Sequence, residues 1–390
     1  MENKRQAMWL VDIQETAGNL WQNLPLKKIE RINYSRWPLF LEKDASHSIL
    51  GDRLFPDFIE LSNQGVIILD LFDASRQYPE LIQKYLFSVI PYDSDKNTAY
   101  HTAYLDGGVF IYVPKHLKVD IPLENILTKG DIDRPSMNQH LLIVVDENSC
   151  VNLIEKTDTQ VEHDNSVTLF VELIALAGSI INYHAFDCMS HRTTSYIKRH
   201  AMAFKDASIN WMIAAMNDGN TILDIETHLE GQGASTQLNV IVIASGKQQQ
   251  VINSKINNQA KHTVGHILQH GVILDRATLT FNGIEFIAKD AKFADAQQES
   301  RVLMLSNEAR GDANPILLID EFEVTAGHAA SIGQLDEEQL YYLMSRGLSR
   351  KEAEFLVIRG FLGRVITTIK NKDFQTAIIR RIDNKLESIT

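Results

Sequence analysis

For about 200 residues after Tyr100 the chain shows no helical period. Short apolar, β-branched runs recur instead, each closed by turn residues. They are Val109–Val113, Leu141–Val145, Val167–Leu176, Ile180–Phe186, Ile209–Ala214, Gln237–Ala244, Val251–Ile256, Gly271–Leu274 and Thr278–Phe281. The punctuation includes Gly178, Asp218-Gly219-Asn220, Gly231-Gln232-Gly233, Gly246, Asn257-Asn258 and Asn282-Gly283. A spacing of roughly ten to thirteen residues leaves no room for crossover helices, which excludes an alternating β/α fold. A sandwich, a barrel or a β-solenoid remains. So many similar strands in one stretch suit a solenoid, whose coils bury their apolar faces only against neighbouring coils. No crisp hexapeptide repeat is present, so the pattern by itself leaves all three open.

Helical patterns bracket this stretch. Residues 1 to about 45 read as helical, with Met8, Trp9, Ile13, Ala17, Leu20 and Trp21 at three- and four-residue spacings, and Leu24 to Pro38 breaks the pattern. A short helix is expected from Pro79 to about Phe87, with proline in the first turn, where its missing N–H has no partner to lose. At the other end Ala326-Gly327-His328-Ala329-Ala330-Ser331-Ile332-Gly333 reads as a small-residue loop presenting one histidine. Asp336 then N-caps an amphipathic helix that stops at Gly347, and Ser349 with Glu352 caps another. A last helix spans about Asp373 to Leu386, with Phe374, Ala377, Ile378 and Ile382 on one face. The expected division is 1–98 helical and mixed, 99–334 β core, and 335–390 helical.

Charge narrows the partners. Residues 341–390 hold ten basic and five acidic residues, a balance of +5 that leaves −17 for the rest of a chain of net charge −12. An acidic body argues against nucleic acid as the partner. The basic tail suits an acidic protein surface. No run approaches the 18 or more apolar residues of a membrane span, and the N-terminus lacks a secretory core, so the expected location is cytoplasmic. Cys150 and Cys188 are too few for a disulfide framework or a four-thiolate site and read as small buried hydrophobes.

Four segments, in order, resemble the SufB/SufD family of iron–sulfur cluster assembly proteins. They are Leu105-Asp106-Gly107-Gly108-Val109-Phe110-Ile111-Tyr112-Val113-Pro114-Lys115, then Thr227-His228-Leu229-Glu230-Gly231-Gln232-Gly233-Ala234, then the stretch from Phe281-Asn282-Gly283-Ile284 to Leu303-Met304-Leu305-Ser306, and finally the Ala326–Asp336 segment with Tyr341-Tyr342-Leu343-Met344-Ser345-Arg346-Gly347-Leu348. The resemblance covers about residues 100–365 and is nearer the SufD than the SufB branch, since the long N-terminal extension of SufB is missing. It implies a right-handed parallel β-helix flanked by N- and C-terminal helical domains. It also implies a non-catalytic scaffold that pairs with a SufB-type paralogue and docks the ABC-type ATPase SufC on the helical tail, while leaving open a homodimer of the isolated chain. No intrinsic cofactor is expected. A transient iron or nascent cluster is expected at the partner interface.

By the same resemblance His328 matches the position proposed to hold iron or nascent cluster there. Relatives that carry a cysteine two residues earlier have a soft thiolate; this chain has Ala326, so His328 supplies one imidazole at most and the thiolates come from the partner. In the tail, Leu340, Leu343, Phe355 and Phe361 are the candidate apolar anchors for the ATPase.

Other signals are weaker. His262, His266 and His270 recur every four residues in a β context without an acidic companion, which suits structural histidines better than a metal site. Glu226, His228 and Glu230 alternate and read as an exposed polar ladder. Arg310-Gly311-Asp312 reads as a turn. Gly231-Gln232-Gly233 lacks the strand–turn–helix context of a dinucleotide loop. The competing function is a β-helix carbohydrate-active enzyme, which needs paired carboxylates in a groove. A plain structural protein, the third option, would have no ATPase partner.

Overall fold

The structure is a computed structural model that describes residues 6–40, 58–129, 136–159 and 163–387. The N-terminal part contains α1 (Met8–Leu20), α2 (Phe58–Asn63), β1 (Ile67–Asp70), α3 (Leu71–Gln77), α4 (Pro79–Tyr85) and α5 (Lys96–Ala103). Capping sets these short helices: Asp70 accepts from the backbone N–H of Phe72 and Asp73, and Asp95 forms a reciprocal box with Thr98. Pro79 opens α4 as its sequence predicts. The first helix is shorter than its pattern, because Trp21 onward turns into an irregular strap over residues 25–40; residues 1–5 and 41–45 of that expectation lie outside the described residues.

Sixteen strands follow. They are β2 (Gly107–Val113), β3 (Leu123–Lys129), β4 (Ser136–Val145), β5 (Cys150–Thr159), β6 (Asn165–Ala175), β7 (Ile180–Met189), β8 (Thr193–Ala203) and β9 (Ser208–Ala215), then β10 (Thr221–Leu229), β11 (Ser235–Ala244), β12 (Gln249–Asn258), β13 (Val264–Ile273), β14 (Thr278–Ile287), β15 (Asp295–Met304), β16 (Arg310–Ile319) and β17 (Thr325–Gln334). From β2 on, even strands stack in one parallel sheet and odd strands in the other. This is a parallel β-solenoid of about seven coils with two strands per coil. Equivalent positions recur 28 to 32 residues apart, as in the asparagine ladders Asn152–Asn182–Asn210 and Asn282–Asn314. Three helices close the chain: α6 (Glu337–Ser345), α7 (Arg350–Ile366) and α8 (Lys372–Glu387).

The core has two parts. Alternate strand residues fill the lumen, so one column runs Leu153, Tyr183, Trp211, Leu238, Ile267, Gln298, His328 through successive odd strands. The outer faces are covered in patches. Leu142, Val144 and Ile174 pack against Leu10, Leu71 and Ile82 at the N-terminal end. Met212, Ile241, Ile243 and Val272 pack against Ile358, Leu362, Phe374, Ile378 and Ile382 of α7 and α8. Strands buried on both faces read as unbroken apolar runs, which is why Leu141–Val145 and Gln237–Ala244 stand out in the sequence.

The turns explain the glycines. Asn148 and Asp206 sit at coil corners with φ of +56° and +54°, and Gly178 and Gly233 occupy the next corners at +68° and +74°. A Cβ on Gly178 would lie 2.5 Å from Asn148 Oδ1, and one on Gly233 would lie 2.3 Å from Asp206 Oδ1. Gly231-Gln232-Gly233 is therefore a solenoid corner.

Three expectations are corrected here. The Ala326–Gly333 segment is not a loop but most of β17, held by ten residue pairs with β15 from Asp295–Thr325 to Met304–Gln334. Small residues have weak strand preference, and the template strand overrides it. Arg310-Gly311-Asp312 opens β16 and is no turn. The strands also exceed the apolar runs that announce them, so their spacing is longer than ten to thirteen residues.

Candidate functional site

The two ends of the solenoid differ. At the start, β1 pairs antiparallel with β2 and closes the first sheet. At the finish, β16 and β17 are the last strands of their sheets. Lumen-register side chains that are buried in every earlier coil lie open here, Ile319 at 41% and Ile332 at 41% exposure, and Phe322 at the connecting turn is 99% exposed.

His328 belongs to this open end. It lies beside Gln298 in register, one step out from the buried column, and is itself exposed. Its neighbours are small: Gly327 leaves room for Gln297, whose Oε1 would stand 2.7 Å from a Cβ there, and Ala329 and Ala330 are exposed. Among the described residues no three His, Cys, Asp or Glu side chains gather to hold a metal ion. The two thiols lie elsewhere in the fold, on β5 and β7, and are half-buried rather than fully buried. Burial pushes Cys150 up and Cys188 up to about 12, so both favour the protonated form.

The three spaced histidines do not form a site. His262 sits in a left-handed turn and stacks on Phe293, ring centroids 4.9 Å apart. His266 Nε2 lies 3.3 Å from Asp295 Oδ2. His270 is buried under α7, with Nδ1 2.9 Å from Phe361 O and Nε2 3.3 Å from Glu299 Oε1. It helps dock the tail.

The ladder on β10 is not the exposed one expected. Glu230 is exposed, but buried Asp224 and half-buried Glu226 and His228 form a network beneath the strap. Lys27 Nζ meets Asp224 Oδ2 at 2.5 Å, and Asn253 donates to Asp224 Oδ1 at 2.7 Å. Glu226 accepts from Lys255 at 2.9 Å and Asn257 at 2.7 Å. Burial pushes the Glu226 carboxyl up, but His200, Lys255 and His228 outweigh it and hold it at about 2. Burial leads in lowering His228, against the pull of Glu226. The network clamps the strap to the sheet.

In the tail the expected caps form. Asp336 accepts from Glu338 and Gln339, Ser349 and Glu352 make a reciprocal box, and Gly347 has φ of +97°. The apolar anchors face differently from expectation. Leu340 is fully buried, and Phe355 and Phe361 pack toward the sheet, whereas Leu343 is half-buried. The exposed apolar surface is Tyr341 at 74%, Tyr342 at 56%, Leu356 at 52% and Met344 at 40%. Helical periodicity marks an apolar face but not which side meets the chain's own sheet, so these four were missed. No helix among the described residues is long and apolar enough to cross a membrane.

Comparison with known proteins identifies the family. Residues 127–361 match the family described as "SUF system FeS cluster assembly, SufBD core domain", and residues 45–124 match "SufBD protein N-terminal region". Over 331 residues the chain is 40% identical to the iron–sulfur cluster assembly protein SufD of Bacillus subtilis, covering 84% of this chain and 76% of that protein. Over 306 residues it is 28% and 29% identical to SufBD family proteins of Staphylococcus saprophyticus and Staphylococcus epidermidis, covering 78% of this chain and 65% of each relative. The chain belongs to the SufBD family and is a SufD-like iron–sulfur cluster assembly protein.

Proposed function

We propose that the chain is the non-catalytic scaffold subunit of a cytoplasmic SUF assembly complex, joined to a SufB-type paralogue at the open end of the solenoid. The observation that carries this reading is the uncovered terminal coil. A sheet edge left bare pairs readily with another chain, and among the described residues nothing covers the two last strands, which are long and lined by open apolar residues. A related β-solenoid continuing the stack would bury Ile319, Ile332 and the backbone edges of β16 and β17. Family membership supports such a partner and leaves the carbohydrate-active alternative without a supporting observation.

His328 then lies in the junction. Its imidazole contributes one ligand to iron or nascent cluster, which is the cargo of the complex. The thiolates come from the partner. The exposed Tyr341, Tyr342, Met344 and Leu356 form the dock for the ABC-type ATPase subunit SufC.

The test is co-expression with a SufB-type subunit and the ATPase, followed by capture and native mass measurement. His328→Ala is expected to leave the complex intact and lower cluster yield in reconstitution. Clusters formed at the wild-type rate would remove His328 from the site, and a failure to capture any SufB-type subunit would refute the junction itself.

A further inference from the structure

The lumen holds two kinds of polar group. In the earlier coils Glu155, Asp187 and Arg199 are ion-paired among Val, Leu and Ile, whereas the last closed coils hold Ser254, Asn258, Gln269, Glu285, Gln298 and Ser300, each at most 4% exposed. Glu285 is the one carboxyl in this set. It lies on β14 between Ile256 and Leu317 in register and is 0% exposed. Its Oε2 accepts from Asn258 Nδ2 at 3.3 Å, and its Oε1 has no hydrogen-bond partner. On the facing sheet stands Gly265, where a Cβ would lie 3.2 Å from Glu285 Oε2 and 2.8 Å from Ile256 Cγ2. The glycine opens room for the carboxyl head and for little else.

Among the described residues nothing cationic answers this carboxyl. The elements packed against it present Asn258 from β12, Gly265 from β13, Gln298 from β15 and Leu317 from β16. The charged group that acts on it is Asp295, of the same sign, at the start of β15; His266 of β13 engages that aspartate. Burial leads in raising the carboxyl well above its ordinary range, Asn258 opposes, and Asp295 adds to the rise. The buried Asn258 Oδ1 and Gln298 Oε1 also lack donors. A proton on Glu285 removes the buried charge and turns an unpartnered acceptor into a donor among acceptors.

We propose that Glu285 is a protonated acid in the folded chain and that loss of its proton loosens the last coils, β14 to β17, making the open end of the solenoid pH-sensitive. The proton passes to solvent when these coils open and the carboxyl meets water. The sign follows from linkage. A folded-state value above the unfolded one stabilises fully below the unfolded value, and the stabilisation is lost as pH rises through the folded value. The inference needs no partner, so it stands or falls separately from the junction with a SufB-type subunit.

Amide hydrogen exchange on the isolated full chain, corrected for intrinsic chemistry, tests it between about pH 5 and about pH 9. Opening of β14–β17 is expected to become about tenfold more favourable per pH unit above the ordinary carboxyl range, then to level off. Strands β4 to β9 are expected to respond less, and Glu285→Gln is expected to abolish the slope. A flat wild-type profile, or a variant that keeps the wild-type slope, overturns the proposal. Should the variant not fold, infrared spectra of the wild type decide: a protonated-carboxyl band that titrates with the loosening supports it, and loosening without such a band overturns it.

Discussion

Arg199 provides the sharpest test of how the lumen is held. It reaches from β8 across the lumen, with Nη1 and Nη2 at 2.9 and 2.7 Å from the Asp187 carboxylate and Nη2 at 2.5 Å from Glu155 Oε1. Tyr183 Oη donates to the other Glu155 oxygen. All three charged side chains are at most 1% exposed. The set carries one cation against two anions, so Arg199→Met leaves two buried carboxylates without a counter-ion. Breaking a buried pair from one side costs about 3–5 kcal/mol, against a total stability of about 5–15 kcal/mol for a folded domain. Neutralising all three positions, Arg199→Met with Glu155→Gln and Asp187→Asn, removes the uncompensated charge and is expected to recover most of the loss. Urea unfolding followed by circular dichroism on the wild type, the single variant and the triple variant reads both effects. A single-variant loss under about 1 kcal/mol, or a triple variant no more stable than the single one, would refute the reasoning from uncompensated buried charge.

Two further outcomes are expected. Tyr341→Ala combined with Leu356→Asp should abolish capture of the ATPase subunit without lowering the thermal midpoint, whereas removing residues 336–390 should aggregate the chain, because Phe374, Ile378 and Ile382 cover Met212, Ile241 and Val272; undiminished capture by the double variant would move the dock elsewhere. Glu226, held at about 2, stabilises above its ordinary range and loses that contribution as pH falls toward 2, so Glu226→Gln should cost about 1–3 kcal/mol at neutral pH and flatten the acid side of the melting profile, and a variant as acid-sensitive as wild type would show that the strap clamp does not depend on this charge.

The β body was legible where strands are apolar on both faces. Val167–Leu176 and Gln237–Ala244 announce themselves because one set of residues fills the lumen and the other meets helices. Strands such as β8, with Lys198, Arg199 and His200 in succession, and β15, with Gln297, Gln298, Glu299 and Ser300, gave no such signal. Each is made a strand by the coils beside it, through registers of nine to eleven residue pairs. Helix caps were legible because they are local: Asp336, Gly347, Ser349 and Glu352 act within a few residues of their own backbone. The candidate site was half legible. His328 was visible as a residue, but its strand, its lumen register and the bare edge around it are long-range properties. For the same reason periodicity marked an apolar face on α7 but not that Phe361 turns toward His270 while Leu356 turns to solvent.

The unpaired polar groups of the last coils argue that the open end serves something beyond the stability of this chain. A solenoid stable by itself gains most by filling its final coil with apolar side chains and capping it, since a terminal coil has one neighbour where an inner coil has two. Here the reverse holds. The column that carries Tyr183, Trp211, Leu238 and Ile267 ends in Gln298 and His328, and Glu285 sits uncompensated one strand before the edge. The cap that β1 supplies at the start has no counterpart among the described residues at the finish. Local rules broken together at one place, without a compensating gain within the chain, mark a surface whose compensation lies in what binds it. On the proposed reading, a β-solenoid partner continuing the stack would supply that compensation: it would cover the apolar rim of Ile319 and Ile332, pair the free edges of β16 and β17, and enclose the imidazole of His328 between two chains.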